Sequence, residues 1–223
     1  MRMQSVIVAV VVCLANGPVY AGIVSDRATL NSLLAGYTVV TESFETLSLP
    51  PAENRVIPPA LNFSTPDFGY GTGLVAPGVT FLDPASIGLQ WNSVGYSGQP
   101  SQDLVSDGGT LDIEFAIPTS AFGLDLRNFA GFNDSASVKV YGPDDKTLLA
   151  SYSGIGLSSP DDPVFFGYAD AGGIGMVAIN GIWQWTPIID NVTFDPPSVV
   201  PEPSALALAT LGGAALLISR RRK

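Results

Sequence analysis

Short runs of β-branched and aromatic residues, broken every few positions by Gly, Pro, Asn or Asp, constrain this chain more than any other feature. They fall at 38–45, 79–82, 89–91, 110–117, 121–127, 138–141, 147–152, 164–168, 175–180 and 188–194. Runs of this length and composition, bounded by turn formers, read as strands. Helical periodicity occurs once in the body: Leu30, Leu33 and Leu34 share a face between a capping Ser25 and a left-handed stop at Gly36. About ten strands with no helices between them predict an all-β fold, an antiparallel β-sandwich or jelly roll with one short N-terminal helix.

The alternation inside the runs says which side is buried. Leu111, Ile113 and Phe115 oppose Asp112 and Glu114, and Phe122, Leu124 and Leu126 oppose Gly123, Asp125 and Arg127. A period of two puts each set on its own face, one packed and one wet. The segment 138–152 predicts a hairpin closed by Gly142-Pro-Asp-Asp145. By contrast, 49–78 is rich in Pro and Gly with little period, and reads as a long surface excursion, a usual place for a binding rim.

Charge and reactive residues narrow the chemistry. The chain has no His, and its single cysteine, Cys13, lies in the N-terminal apolar run. Imidazole-based nucleophile systems and His-ligated metals are thereby excluded, and so is a disulfide-stapled body. Residues 22–200 hold nineteen acidic against five basic side chains, a net −14. Such a surface repels nucleic acid phosphates and anionic lipid, so neutral polymers, cations or basic surfaces are its expected partners.

Both ends read as addresses. Arg2, the apolar run 6–15, the break at Asn16-Gly-Pro18 and small or branched residues at Val19 and Ala21 form a secretory signal peptide, 1–21, with cleavage between Ala21 and Gly22. Export then needs the Sec translocon and signal peptidase. At the other end, Pro201-Glu202-Pro203 precedes an apolar stretch, 205–218, and the basic cluster Arg220, Arg221, Arg222 and Lys223. Fourteen residues of helix reach about 21 Å, a short transmembrane helix for a hydrocarbon core of about 30 Å. The terminal basic residues should stay cytoplasmic.

This order of motif, short span and basic cluster resembles the PEP-CTERM sorting signal of Gram-negative bacteria, over residues 200–223. The same tail is also labelled an ice-binding protein C-terminal domain, although it carries no ice-binding chemistry. The resemblance implies an exosortase substrate: a precursor anchored transiently in the inner membrane, then cut near Pro201-Glu202-Pro203 and passed to the outer surface or to exopolysaccharide in the extracellular matrix. The domain reading is therefore signal peptide 1–21, secreted β-sandwich 22–198 and sorting signal 199–223. The body, through stretches such as Thr38–Glu45, Ala121–Asp125 and Ile189–Phe194, is similar to β-sandwich domains found ahead of this tail, which resemble carbohydrate-binding jelly rolls in shape.

Candidate sites follow from residue chemistry. Trp183 and Trp185, on one side of an extended segment, and Trp91 beside Asn92 offer indole platforms for sugar rings. Asp144 and Asp145 in the hairpin turn and Asp161 and Asp162 in a loop offer hard oxygens for calcium, with Asp103, Asp107 and Asp112 as further donors; the competing reading is turn residues serving local hydrogen bonds. Asp112 and Glu114, about 7 Å apart along one strand, are a carboxylate pair. The expectation is a non-enzymatic surface protein that binds exopolysaccharide. A glycan-active hydrolase or lyase using carboxylates and a structural or adhesive protein without a small ligand are the alternatives.

Overall fold

The computed structural model describes residues 21–66, 71–129, 134–157, 160–181 and 187–195. Along the chain lie β1 (Ala21–Val24), α1 (Arg27–Leu33), β2 (Val40–Glu42), β3 (Asn54–Ile57), β4 (Ala60–Asn62), β5 (Val79–Leu82) and β6 (Leu89–Asn92). They are followed by β7 (Asp103–Ser106), β8 (Thr110–Arg127), β9 (Asp134–Tyr141), β10 (Leu148–Leu157), β11 (Val164–Gly181) and β12 (Ile188–Phe194). Every strand pairing is antiparallel. The all-β expectation holds.

Two 18-residue strands organise the rest. The first half of β8, through Leu111 and Ile113, pairs with the second half of β11 and with β5. Its second half, through Phe122 to Leu126, pairs with the first half of β11 and with β12. Between the halves the β8–β11 register shifts, at Thr119 on one strand and Ala169 to Met176 on the other. Pro118 and Gly172-Gly173 lie at that shift, which is why the sequence reads as two shorter runs on each strand. Pro removes a ladder donor and Gly173 adopts a φ of +93°, so both bend the pair without ending it. The β9 and β10 strands extend the first half; β7, β6 and β3 extend the second, beyond β12.

Inward residues of both halves meet in one apolar core. Leu111, Ile113, Val138, Val140 and Val177 come from one side, and Leu89, Trp91, Leu104, Phe122, Leu124 and Ile189 from the other. Phe44 stands edge-on to both Phe81 and Trp91, with ring centroids 5.2 and 5.5 Å apart. Trp91 is fully buried, and its Nε1 donates to Gln102 Oε1 at 3.2 Å. It therefore cannot serve as a sugar platform: its indole fills the core, and its one polar atom is already bonded inside.

The helix starts one residue later than its sequence suggests. Asp26, not Ser25, is the cap: its carboxylate accepts from Thr29 N at 2.7 Å, while Ser25 Oγ donates to Asp26 at 2.8 Å. A carboxylate outcompetes a hydroxyl at this position because it accepts several donors at once. Leu30 and Leu34 then pack on Val24, Ala121 and Ala169. Arg27 ties the helix down, donating to Asp125 at 2.7 Å and to Thr193 at 3.0 Å, with its guanidinium 5.2 Å from the Phe165 ring centre. Gly123 is required beneath it, since a Cβ there would lie 2.6 Å from Phe165 and 2.7 Å from Leu30.

The hairpin is observed as expected. β9 and β10 pair from Tyr141–Leu148 outward, Gly142 N donates to Thr147 O, and Asp145 takes the left-handed turn position at φ +56°. The excursion at 49–78 is more ordered than its sequence suggests, for it contributes β3 and β4. Replacing Trp91 by Ala should remove about 3–5 kcal/mol of stability, read by urea unfolding, because a fully enclosed indole leaves a cavity that its strands cannot close.

Candidate functional site

The excursion builds one wall of an open cleft of about 380 Å³, and the segment after β2 builds the other. Thr41, Glu42, Ser43, Glu45 and Thr46 face Phe63, Gly73, Val75, Ala76 and Pro77 across it. Phe63 presents about half of its surface to solvent, and Gly73 approaches the ring closely enough that a Cβ would sit 3.4 Å from it. An exposed ring face bordered by hydroxyls and a carboxylate is the combination that holds a sugar by stacking and polar contacts.

The cleft's carboxylates are committed to holding its walls. Glu42 Oε1 accepts from Phe44 N at 2.6 Å and Oε2 from Ala76 N at 2.5 Å, so one side chain staples both sides together. Burial raises its pKa, against the lowering effect of those two amides. Glu45 accepts Gln102 N at 3.1 Å on one oxygen and Gln102 Nε2 at 3.0 Å on the other. Thr46 Oγ1 donates to Leu74 O. Each oxygen of both glutamates thus accepts a hydrogen bond from the protein itself.

Asp112 and Glu114 lie elsewhere, on the outward face of β8. Register places Leu82 and Ala178 beside Asp112, and Thr80 and Met176 beside Glu114. Burial is the first cause of the raised pKa of both; Glu114 adds to it for Asp112, and Asp145 adds to it for Glu114. The hairpin turn brings Asp145 over this face at Gly175, where a Cβ would collide with its carboxylate. The pair belongs to one strand and one side.

The turn aspartates serve the fold. Asp144 accepts from Lys146 N, Thr147 N and Thr147 Oγ1, and the Thr147 bonds draw its pKa down to about 2. Asp161 and Asp162 are exposed before β11. Asp107 accepts from Gln90 Nε2 at 2.6 Å, and Asp103 is fully buried on β7. Among the described residues, no three His, Cys, Asp or Glu side chains converge on a point that holds a metal. Ala21 and Gly22 lie in β1, where Gly22 to Val24 pair with Ala169 to Gly167 of β11. Trp183, Trp185, the Pro201-Glu202-Pro203 motif, the apolar stretch 205–218 and Arg220 to Lys223 lie outside the described residues.

Sequence reasoning missed the cleft itself. Phe63 was legible only as an aromatic in the rim segment, and Glu42 as one acidic residue in a strand; their meeting across the cleft depends on β4 and β2 reaching it through different neighbours, β5 and β12. Asp195, one residue past β12, is tied to a different strand. Asp195 Oδ1 accepts from Thr119 Oγ1 and Ser120 N, and its Oδ2 accepts from Ser120 Oγ at 2.8 Å. The chain is thus pinned to the bend of β8 just before the C-terminal segment begins.

That segment matches a family model described as the PEP-CTERM protein-sorting motif, over residues 199–223. The chain carries a PEP-CTERM sorting motif. No curated protein matches the chain. Among solved structures, the isomalto-dextranase of Arthrobacter globiformis is 13% identical, with a TM-score of 0.33 over 70% of this chain and 34% of that one. The K2 adhesin domain of Lys-gingipain is 14% identical, with a TM-score of 0.32 over 70% of this chain and 99% of that one. The xylanase 10B modules of Clostridium thermocellum are 12% identical, with a TM-score of 0.29 over 73% and 29%. The matched part spans about a third of the dextranase and of the xylanase modules. At these scores the likeness decides neither strand order nor ligand.

Changing Glu42 to Gln replaces an acceptor with a donor at one wall and strands a backbone N–H of Phe44 or Ala76. The expected cost is about 1–3 kcal/mol in chemical denaturation.

Proposed function

We propose that this PEP-CTERM protein is an exported surface protein whose body, a β-sandwich spanning 22–198, retains neutral polysaccharide without cleaving it. The sorting motif at 199–223, following a body whose Asp195 is pinned to β8, carries the reading. From Asp195 to Pro201 is six residues, at most about 20 Å of extended chain. The tail would therefore hold the body close to the membrane until an exosortase cuts at Pro201-Glu202-Pro203 and releases it to the outer surface, alongside exopolysaccharide. The Sec translocon and signal peptidase act before that step.

Retention of a neutral glycan is supported by the cleft and by the body's charge. Phe63 supplies the ring and Ser43 a hydroxyl at the rim, where the hydroxyls of Thr41 and Thr46 are already bonded to Thr193 and to Leu74 O. The net −14 of residues 22–200 disfavours polyanions. Trp183 and Trp185, just after β11, are proposed as a second stacking platform. The non-enzymatic reading is supported by the committed oxygens of Glu42 and Glu45 and by the one-sided placement of Asp112 and Glu114.

Protein isolated from the native host should lack residues beyond about 203 by mass spectrometry, whereas Glu202→Ala should accumulate chain still ending in Lys223; an intact tail on the mature wild-type protein would defeat the sorting half. On a glycan array, Phe63→Ala should weaken retention roughly fivefold to tenfold at a stability cost below about 1 kcal/mol. Released oligosaccharide in product analysis would instead establish a hydrolase or lyase, and no retention of any glycan would establish a structural or adhesive role.

A further inference from the structure

Behind the cleft, β6 and β7 are closed by a cross-strand pair of polar residues that the proposed function does not use. Asn92 and Asp103 are register partners, both fully buried. Asn92 Nδ2 donates to Asp103 Oδ1 at 2.7 Å. The remaining oxygen on each, Asn92 Oδ1 and Asp103 Oδ2, is enclosed and has no hydrogen-bond partner. Two orphaned acceptors on two groups already joined by one hydrogen bond are costly as they stand, since each has lost its water for nothing.

One hydrogen atom resolves both. We infer that Asp103 is a neutral carboxylic acid in the folded protein, its Oδ2 proton donated to Asn92 Oδ1, so that a cyclic acid–amide pair closes the β6–β7 seam and alkaline conditions open it. The surroundings favour the proton. Asp190 on β12 and Glu45 on the cleft segment both oppose a charge at Asp103, and Arg127 on β8 is the one cation that favours it. Arg127 turns its terminal nitrogens elsewhere, Nη2 3.2 Å from Asp190 Oδ2 and Nη1 2.5 Å from Ser101 Oγ, while Ser101 donates to Asp190 at 2.7 Å; its Nε is enclosed without a partner. Burial pushes the Asp103 pKa well above the usual carboxylate range, more than its bond from Asn92 lowers it. A metal ion explains the orphans less well, because it would sit within the field of Arg127 and, among the described residues, no three acidic side chains converge there.

The seam also touches the cleft. Gln102, immediately before Asp103, accepts from Trp91 and holds both oxygens of Glu45. Ionising Asp103 would strain the strand end that positions the cleft wall.

The sign follows from the raised pKa. The folded state keeps a proton that the unfolded state gives up near pH 4. This group's contribution is full below that value and is lost as pH rises through the folded pKa. The test compares the full-length wild type with Asp103→Asn, whose carboxamide reproduces the acid's donor and acceptor and cannot ionise. The wild-type melting temperature should fall relative to the variant by on the order of 4 °C per pH unit while Asp103 remains protonated. Infrared spectra at neutral pH should show a protonated carboxyl stretch in the wild type that the variant lacks.

An Asp103→Asn chain that is unfolded, or less stable than the wild type at all pH values, would overturn the inference, since an amide preserves the proposed pair. So would the absence of the carboxyl band, or its persistence in the variant. Calcium chloride that raises the wild-type melting temperature and leaves Asp103→Asn unmoved would assign the orphaned oxygens to a cation instead. As a second variant, Asn92→Leu removes the amide partner of the neutral carboxyl, so the carboxyl band should move to higher wavenumber in whatever folded fraction remains; an unshifted band would also count against the pairing.

Discussion

Everything in this molecule hangs on the pairing of β8 with β11 across the bend at Pro118 and Gly172-Gly173. β5 and β12 attach to β8; β9 and β1 attach to β11. Because the two strands continue through the bend, their inward residues on both sides contribute to one core rather than two small ones. Two separate cores of half the size would bury too little apolar surface to offset chain entropy. Asp195, one residue past β12, returns to the same bend, so the spine also anchors the end of that strand.

A second constraint is the lack of cysteine beyond Cys13. The loops are held instead by buried carboxylates that accept backbone N–H groups. Asp83 gathers Ala85, Ile87 and Gly88; Glu42 joins Phe44 to Ala76; Asp195 takes Ser120 and Ala121. Each such bond is charge-assisted and shielded from water, and therefore stronger than its exposed counterpart. Part of the acidity that looks like a surface property is thus structural. The polysaccharide reading rests on other features: an exposed ring, a rim hydroxyl and an open cleft.

Strand positions were legible where apolar residues alternate or cluster between turn formers. The runs at 79–82 and 188–194 match β5 and β12, and the Gly142-Pro-Asp-Asp turn closes its hairpin as local chemistry requires. The sequence misled where a bend resembles an end. Pro118 and Gly172-Gly173 look like punctuation, but neighbouring strands on both sides carry β8 and β11 through. It also misled at Trp91. An aromatic beside Asn on a short strand looks the same whether it faces solvent or core, and Phe44 and Gln102, which enclose it, are distant in sequence.

The sequence by itself determined the fold class, the acidity of the body, the exclusion of imidazole and disulfide chemistry, and the sorting motif at 199–223. These depend on local period, composition or contiguous residues, all of which a chain displays before it folds. Only the tertiary structure decided which carboxylates are free and which are stapled, that Phe63 borders a cleft while Trp91 is core, and that Asp103 and Asn92 meet with two oxygens orphaned. Those outcomes depend on which strands become neighbours and on how completely water is excluded between them, and neither is written in any one segment.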